Sequence, residues 1–334
     1  MRDNKLLKFI VKRLLLSVVI LFFVAMIIYG IMRCMPTSFV EEMARQRATR
    51  PGSNLSYQDW LDRLNAVYHL DGNPVTGFFG WLSQAIRGNF GDSGAYNIPV
   101  TEKFGQVIGY SFALGAVSFI LQLVIAIPLG ILAAKKQYSK TDYAISVFAL
   151  LGISLPTFFL ATLLKWVFSI KLGWFDLFGM VDRMHQSMTP IEQFFDIVKH
   201  FVLPTVTLTL VSVGSMMRYT RTNMLEVLNS DFIRTARAKG LSEKRVINYH
   251  AFRNTLIPIV TIVGGSLPGL FSGAQITETL FQIEGIGYTS YQAMIKGDIP
   301  FSMFYMLFIA ILTLLGTLLA DIMYAVVDPR VRVN

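Results

Sequence analysis

Charge is scarce in this chain. Of its 334 residues only 15% are Asp, Glu, Lys or Arg, while 53% are hydrophobic; a soluble domain carries about 25% charge. So small a charged fraction cannot cover the surface of a soluble globule of 37.6 kDa. The same composition excludes a disordered chain. Cysteine is scarcer still. Cys34 is the only one, so an intrachain disulfide is impossible. The four histidines, His69, His185, His200 and His250, are scattered without metal-ligand spacing. No Gly-Lys dipeptide occurs, so the Gly-x-x-x-x-Gly-Lys-Ser/Thr loop that cradles nucleotide phosphates is missing. No nucleophile–base constellation points to an enzyme, and no repeat of about 20–50 residues points to a solenoid.

What the sequence does have is long uncharged runs and a mean hydropathy of +0.52. A helix rises 1.5 Å per residue, so about 20 apolar residues cross the hydrocarbon core of a bilayer. Six runs qualify: Leu14–Met32, Val107–Ala134, Tyr143–Leu164, Phe201–Met217, Thr255–Thr277 and Phe301–Ala320. Backbone polar groups in lipid must be satisfied within the segment, and these runs lack strand alternation, so they predict helices. The basic start (Arg2, Lys5, Lys8, Lys12, Arg13) followed by an apolar run resembles a signal peptide. Leu14–Met32 is 19 residues without a charge, longer than the usual h-region of about 7–15. No small-x-small cleavage site follows, and Arg33 before Cys34 does not fit a lipoprotein site. The run therefore reads as a retained first span.

The loops set the orientation. With six spans, one side carries 18 Lys/Arg and a net charge of +12, and the other 11 Lys/Arg and a net charge of −2. The more basic side, which holds both termini, is assigned to the cytoplasm. The chain's net charge of +9 is thus a topology signal and not a nucleic-acid one. Residues 1–105 are expected to form an N-terminal region with the first span and an outer element, and residues 106–334 a core of five spans. In the outer loop Arg33–Gly105, the turn-rich stretches Arg50–Asn54 and Asp71–Pro74 bracket Tyr57–Tyr68. There Trp60, Leu61, Leu64, Val67 and Tyr68 recur at helical spacing.

The loop between spans four and five, Arg218–Arg253, holds 8 of the 18 cytoplasmic basic residues. Its stretch from Asn229 to Val246 parses as helix, stop, helix. Ser230 or Asp231 can cap the first helix. Ala236 and Ala238 favour helix, and Arg237 and Lys239 suit its negative end. Gly240 sits where a left-handed residue ends it, and Ser242 can cap a second helix with Glu243 in its first turn. Two short basic helices at an angle make a shape that can enter a groove on a partner.

This loop resembles the coupling loop, the EAA motif, of ATP-binding-cassette (ABC) importer permeases. Counting back from Gly240, the Glu-Ala-Ala positions hold Arg234, Thr235 and Ala236, and Pro258 lies further from the glycine than in the generic motif. Both departures resemble the oligopeptide/dipeptide subfamily, as does the stretch Asp231 to Leu241. His250–Pro258, Arg13–Leu16, Leu70-Asp71, Gly88–Ser93, Ile127–Ala134, Glu278–Phe281, Gly285–Gly287 and Asp328–Arg332 extend the resemblance over nearly the whole chain. The long outer loop is similar to the B-type member of a permease pair. The resemblance implies an all-α, six-helix type I importer permease in a bacterial plasma (inner) membrane. It implies a homologous C-type permease as partner, two cytoplasmic ABC ATPase subunits docked on the coupling loops, and an extracytoplasmic substrate-binding protein. ATP and Mg then belong to the ATPase subunits, and no cofactor to this chain. Oligopeptides or dipeptides are the implied substrates. Nickel chelates, glutathione and oligosaccharide are alternatives, since related permeases serve them. A self-sufficient secondary transporter or channel predicts inverted repeats and midplane charges, and neither is visible.

Each singled-out residue also has a plainer reading. Gly240 terminates helices in any loop. Arg234, Arg237, Lys239, Lys244 and Arg245 each satisfy the positive-inside rule. Lys165 and Lys171 are expected to snorkel to the outer interface. Glu278, an ionisable group at membrane depth, is a candidate for pathway lining or subunit packing; by the plainer reading Glu278 and Asp321, at the ends of spans five and six, are paired or hydrated. A proton relay through Glu278 has no second carboxylate to receive the proton. Gly264, Gly265, Gly269 and Gly273 permit close helix approach, which suits a subunit interface, a pathway lining or packing within the chain. Pro128, Pro156, Pro204, Pro258 and Pro268 are hinges or tolerated kinks.

Overall fold

A computed structural model describes residues 2–34, 39–49, 55–68 and 72–327. Among them no strand forms; an isolated bridge joins Asp92 and Pro99. The helices are α1 (Arg2–Arg33), α2 (Phe39–Ala48), α3 (Tyr57–Tyr68), α4 (Pro74–Ile86), α5 (Val100–Lys135), α6 (Lys140–Ser154), α7 (Thr157–Leu164), α8 (Pro190–Leu228), α9 (Asp231–Ala238), α10 (Glu243–Arg245), α11 (Phe252–Ser266), α12 (Gln275–Phe281), α13 (Ile286–Ile295) and α14 (Ile299–Val327).

Five helical stretches are long and apolar enough to cross a bilayer: Lys8–Arg33, Val100–Lys135, Pro190–Leu228, Glu243–Phe271 and Ile299–Tyr324. They contain expected spans one, two, four and six, and most of five. The third span differs. α6 and the stretch Thr157–Lys171 meet at an angle of 102° instead of continuing through Tyr143–Leu164 as one rod. The cause is Pro156, which disfavours helix in the residue before it; Leu155 is accordingly extended, at φ −82° and ψ 124°. The fifth span also stops short of Thr277. A 3-10 turn at Pro268–Phe271 ends it, and α12 turns away after Gly273.

α5 and α8 form the central pair, and glycines let backbones touch there. A Cβ on Gly130 would lie 2.7 Å from the Met217 carbonyl, and one on Gly214 would collide with the carbonyl of Ala149 in α6. α1 packs outside this core, with Ala25, Ile28, Tyr29 and Met32 against Phe78, Trp81 and Ala85 of α4 and Met303 and Leu307 of α14. Arg13 on α1 pairs with Asp321 on α14 at 3.2 Å, so Asp321 is paired as expected.

Between α1 and α5, the helix expected over Tyr57–Tyr68 is α3. Its Leu64 and Tyr68 bury against Val40, Met43 and Ala44 of α2. Arg50–Asn54 and Asp71 lie outside the described residues. Within the second turn-rich stretch, Asn73 caps α4 by accepting the Val75 N–H at 2.8 Å, with Pro74 in the first helical turn. Arg47 ties α2 to the loop between α4 and α5 through Asp92 at 2.9 Å. Asp298, buried before α14, accepts from the Ser93 hydroxyl and from the Ala95 N–H at 3.0 Å, pinning that loop from the other side.

Lys165 does not snorkel. The turn at Pro156 brings α7 against α12. There Lys165 is buried, donates to the Leu280 carbonyl at 2.6 Å and lies 3.9 Å from the Phe178 ring centroid.

Candidate functional site: the loop from α8 to α11

α9 is the first half of the loop. Ser230 holds the N-cap position with extended backbone, but its hydroxyl donates back to the Val227 carbonyl at 2.6 Å and does not cap. The α9 C-terminus is closed as the sequence predicts. Gly240 has φ +76°, its N–H donates to the Arg237 carbonyl at 2.9 Å, and the Leu241 N–H reaches the Ala236 carbonyl at 3.4 Å. This pair of bonds, closed by a left-handed glycine, is the Schellman arrangement. Nothing would crowd a Cβ on Gly240, so backbone conformation alone selects glycine there.

The turn is braced by charge. The Arg237 guanidinium grips the Glu243 carboxylate through Nη2 at 2.7 Å and Nε at 3.2 Å. This two-point contact raises the Arg237 guanidinium above its already high ordinary range. Ser242 occupies the N-cap of α10 without a side-chain bond. A π-helical turn, Val246–Ala251, then runs into α11.

α9 is two-faced. Ile233 and Ala236 are buried against Met224 of α8, Val246, Ile247 and Ala251 of the π turn, and Ala134 of α5. Asp231, Arg234, Thr235, Arg237, Ala238, Lys239, Gly240 and Ser242 are exposed. Arg234 lies 3.6 Å from Asp231, and the Thr235 hydroxyl donates to the Asp231 carbonyl at 2.9 Å. The same outer surface carries Phe232, 46% exposed, and Tyr249, 56% exposed. Composition and charge gave no reason to single these two out. For Phe232 the signal was an aromatic residue outside the buried i, i+3 pair of Ile233 and Ala236. The loop thus presents a basic, partly aromatic face outward and locks its inner face to three spans.

The second group of candidates lies elsewhere. Glu278, on α12, is fully buried. Oε1 accepts from the Ser111 hydroxyl at 2.6 Å and the Ala274 N–H at 3.0 Å, and Oε2 accepts from the Tyr288 N–H at 2.9 Å. Ser111 in turn accepts the Ile286 N–H at 2.7 Å. The carboxylate is therefore answered by hydrogen bonds joining α5, α12 and α13, where a paired or hydrated span-end charge was expected. Gly285 leaves it room, since a Cβ there would lie 2.5 Å from Oε2.

Of the four span-five glycines, three serve packing within the chain. Gly264 and Gly265 face Met323 and Ala320 of α14, with prospective Cβ contacts of 2.5 and 3.0 Å. Gly273, at φ +82°, lies against the Gly287 backbone, 2.5 Å from a prospective Cβ. Gly269 has nothing within 4 Å. The α9 loop and the Glu278 group are thus separate constellations.

Residues 126–333, more than half of the chain, match the family model described as binding-protein-dependent transport system inner membrane component. The chain belongs to that family. This permease is also similar along nearly its full length to curated relatives. It is 34% identical over 325 residues to the oligopeptide transport system permease protein AppB of Bacillus subtilis, covering 97% of this chain and 99% of that one. It is 33% identical over 334 residues to the oligopeptide transport system permease protein OppB of Salmonella typhimurium, covering 98% and 100%. Among solved structures, a chain of the MetNI methionine ABC transporter, solved in inward-facing conformations, matches with a TM-score of 0.52 and 16% identity. It covers 68% of this chain and 97% of that one, a likeness that shows the fold. The permease is therefore a multi-pass membrane protein of the type I importer fold, and its Gly-stopped loop sits inside the region that the family model matches.

Proposed function

We propose that this permease is the transmembrane subunit of an ABC importer that carries oligopeptides or dipeptides across a bacterial inner membrane. The observation that carries this reading is the similarity, over nearly the whole chain, to permeases named for oligopeptide transport. The reading gives each part a task. A homologous C-type permease completes the pathway. An extracytoplasmic binding protein delivers peptide to the outer helices. Two ATPase subunits dock on the coupling loops of the permease pair, and these subunits hold the ATP and Mg. This chain has no phosphate-cradling Gly-Lys loop of its own. Its α9 is joined by Ile233 and Ala236 to α5, to α8 and to the π turn that leads into α11. A push on the exposed face therefore moves those helices as a packed body, as alternating access requires.

The combined variant Phe232→Ala, Arg234→Glu, Lys239→Glu tests this assignment, because all three residues are exposed. Co-expressed with the partner permease, the ATPases and the binding protein, it should insert normally but lose the co-purifying ATPase subunits. Peptide uptake should be lost with them. Normal ATPase retention together with normal peptide uptake would refute the loop assignment.

A further inference from the structure

Polar side chains at membrane depth face a bundle interior or a water-filled cavity, because lipid gives them no partner. One cluster in this permease has that character and no role so far. A cleft of about 390 Å³ opens between α5, α8 and α11 and is lined by Phe119, Gln122, Ser215, Tyr219, Ile262 and Ser266, with Met216 beside them. Gln122 precedes the α5 end at Lys135, Ser215 precedes the α8 end at Leu228, and Ser266 follows the α11 start at Phe252. Each lies about 20 Å of helix rise from that end. In a hydrocarbon layer about 30 Å thick, with helices that protrude from it, this is near mid-depth.

The lining is neutral and offers both acceptors and donors. The Ser215 hydroxyl donates to the Ser212 carbonyl at 2.9 Å, and the Ser266 hydroxyl donates to the Ile262 carbonyl at 2.8 Å. Both hydroxyl hydrogens are thus committed to their own helices, and the oxygens are left as acceptors. Gln122 directs one amide N–H to the Ser212 carbonyl at 3.1 Å, which leaves its carbonyl as another acceptor and its second amide hydrogen as a donor, beside the Tyr219 hydroxyl. No charged residue lines the cleft. On α8, exposed Ser215, Arg218, Tyr219, Thr222 and Glu226 share one face at helical spacing. This polar stripe runs from the cleft toward the cytoplasmic end, where a lipid-facing surface should be apolar.

We infer that this cleft is a transit site for the peptide main chain, with the acceptor oxygens of Gln122, Ser215 and Ser266 receiving its N–H groups and Phe119 and Tyr219 flanking it. The inference rests on the peptide reading above. A neutral lining with both acceptors and donors grips the N–H and C=O groups that every peptide shares and ignores its side chains, as a pathway for varied cargo needs.

Because the chain has a single native cysteine, one introduced thiol can be followed alone. In a Cys34→Ser background, Ser215→Cys is assembled with the partner permease, ATPases and binding protein in proteoliposomes and treated with a charged, water-soluble methanethiosulfonate. The introduced thiol should be modified, and modification should block uptake of labelled tetra-alanine while ATP hydrolysis stimulated by the binding protein persists. The triple variant Gln122→Leu, Ser215→Ala, Ser266→Ala should lower tetra-alanine uptake per ATP at least about tenfold, the scale of one or two lost hydrogen bonds. A thiol that stays unmodified both at rest and during ATP turnover overturns the inference, as does a triple variant with wild-type uptake. If the unaltered complex imports no peptide at all, the peptide reading itself fails, whatever the thiol does.

Discussion

At the scale of single residues, Glu278 shows how a buried charge can be structural. Three donors from separate elements converge on its carboxylate, and hydrogen bonds to an ionised group are about twice as strong as neutral ones. Glu278→Gln exchanges one acceptor oxygen for an amide N–H aimed at a donor. It should destabilise the permease by about 1–3 kcal/mol, read as a lower melting temperature of the purified complex in detergent. Glu278→Ala should do more, because it also removes buried volume. Uptake by the Gln variant should keep the wild-type dependence on pH, since no second carboxylate accompanies Glu278 as a relay partner among the described residues; a displaced pH profile would make it a proton carrier. Gly240 stands at the opposite extreme, exposed and fixed by backbone conformation alone.

At the scale of elements, an ion pair fixes where α8 meets the start of α6. Arg221 holds Asp142 through Nε–Oδ1 and Nη2–Oδ2, both at 2.7 Å, and the Asp142 side chain is only 4% exposed. Asp142 also accepts the Tyr138 N–H at 2.9 Å. Removing the cation leaves a largely buried carboxylate short of its partner, while Arg221 itself is 26% exposed, so Arg221→Met should cost about 1–3 kcal/mol. Asp142→Asn in the same background should return part of that loss, because the charge has gone and the amide oxygen still accepts from Tyr138. Melting curves of the two variants check the order; a double variant less stable than the single one would contradict it. Elements also show what was legible in the sequence. α3 could be read because one face of it is apolar at helical spacing. The Gly240 stop could be read because left-handed backbone has few residue choices. α4 could not: its 13 residues are too short to span and too apolar to stand out from the neighbouring runs. The bend at Pro156 was visible only as a choice between hinge and tolerated kink, and the contacts of α7 with α12 decided it. The Ser111 partner of Glu278 was illegible because it lies 167 positions away.

At the scale of the whole molecule, orientation is the property on which the proposed roles of the α9 loop, the helices between α1 and α5 and the cleft all depend. It rests on the distribution of charge, not on any contact. The rule counts Lys and Arg in short loops near span ends. Here 18 lie on one side and 11 on the other, with 8 of the 18 in the loop that carries α9. By that rule Cys34, exposed just beyond α1, is expected on the extracytoplasmic side, and exposed Lys244 in the cytoplasm. A membrane-impermeant maleimide should label native Cys34 in spheroplasts. In a Cys34→Ser background, Lys244→Cys should be labelled only in inside-out vesicles. The two readouts are linked by the segments between them. If α5, the bent pair α6–α7 and α8 each carry the chain across, the number of crossings is odd and the two positions face opposite sides. If α6–α7 instead enters and returns on the same side, the number is even and both positions face one side. Opposite-side labelling therefore tests the bent pair as well as the charge rule. Labelling of both from the outer side would make α6–α7 a re-entrant loop, and it would move α9 out of reach of a cytoplasmic motor.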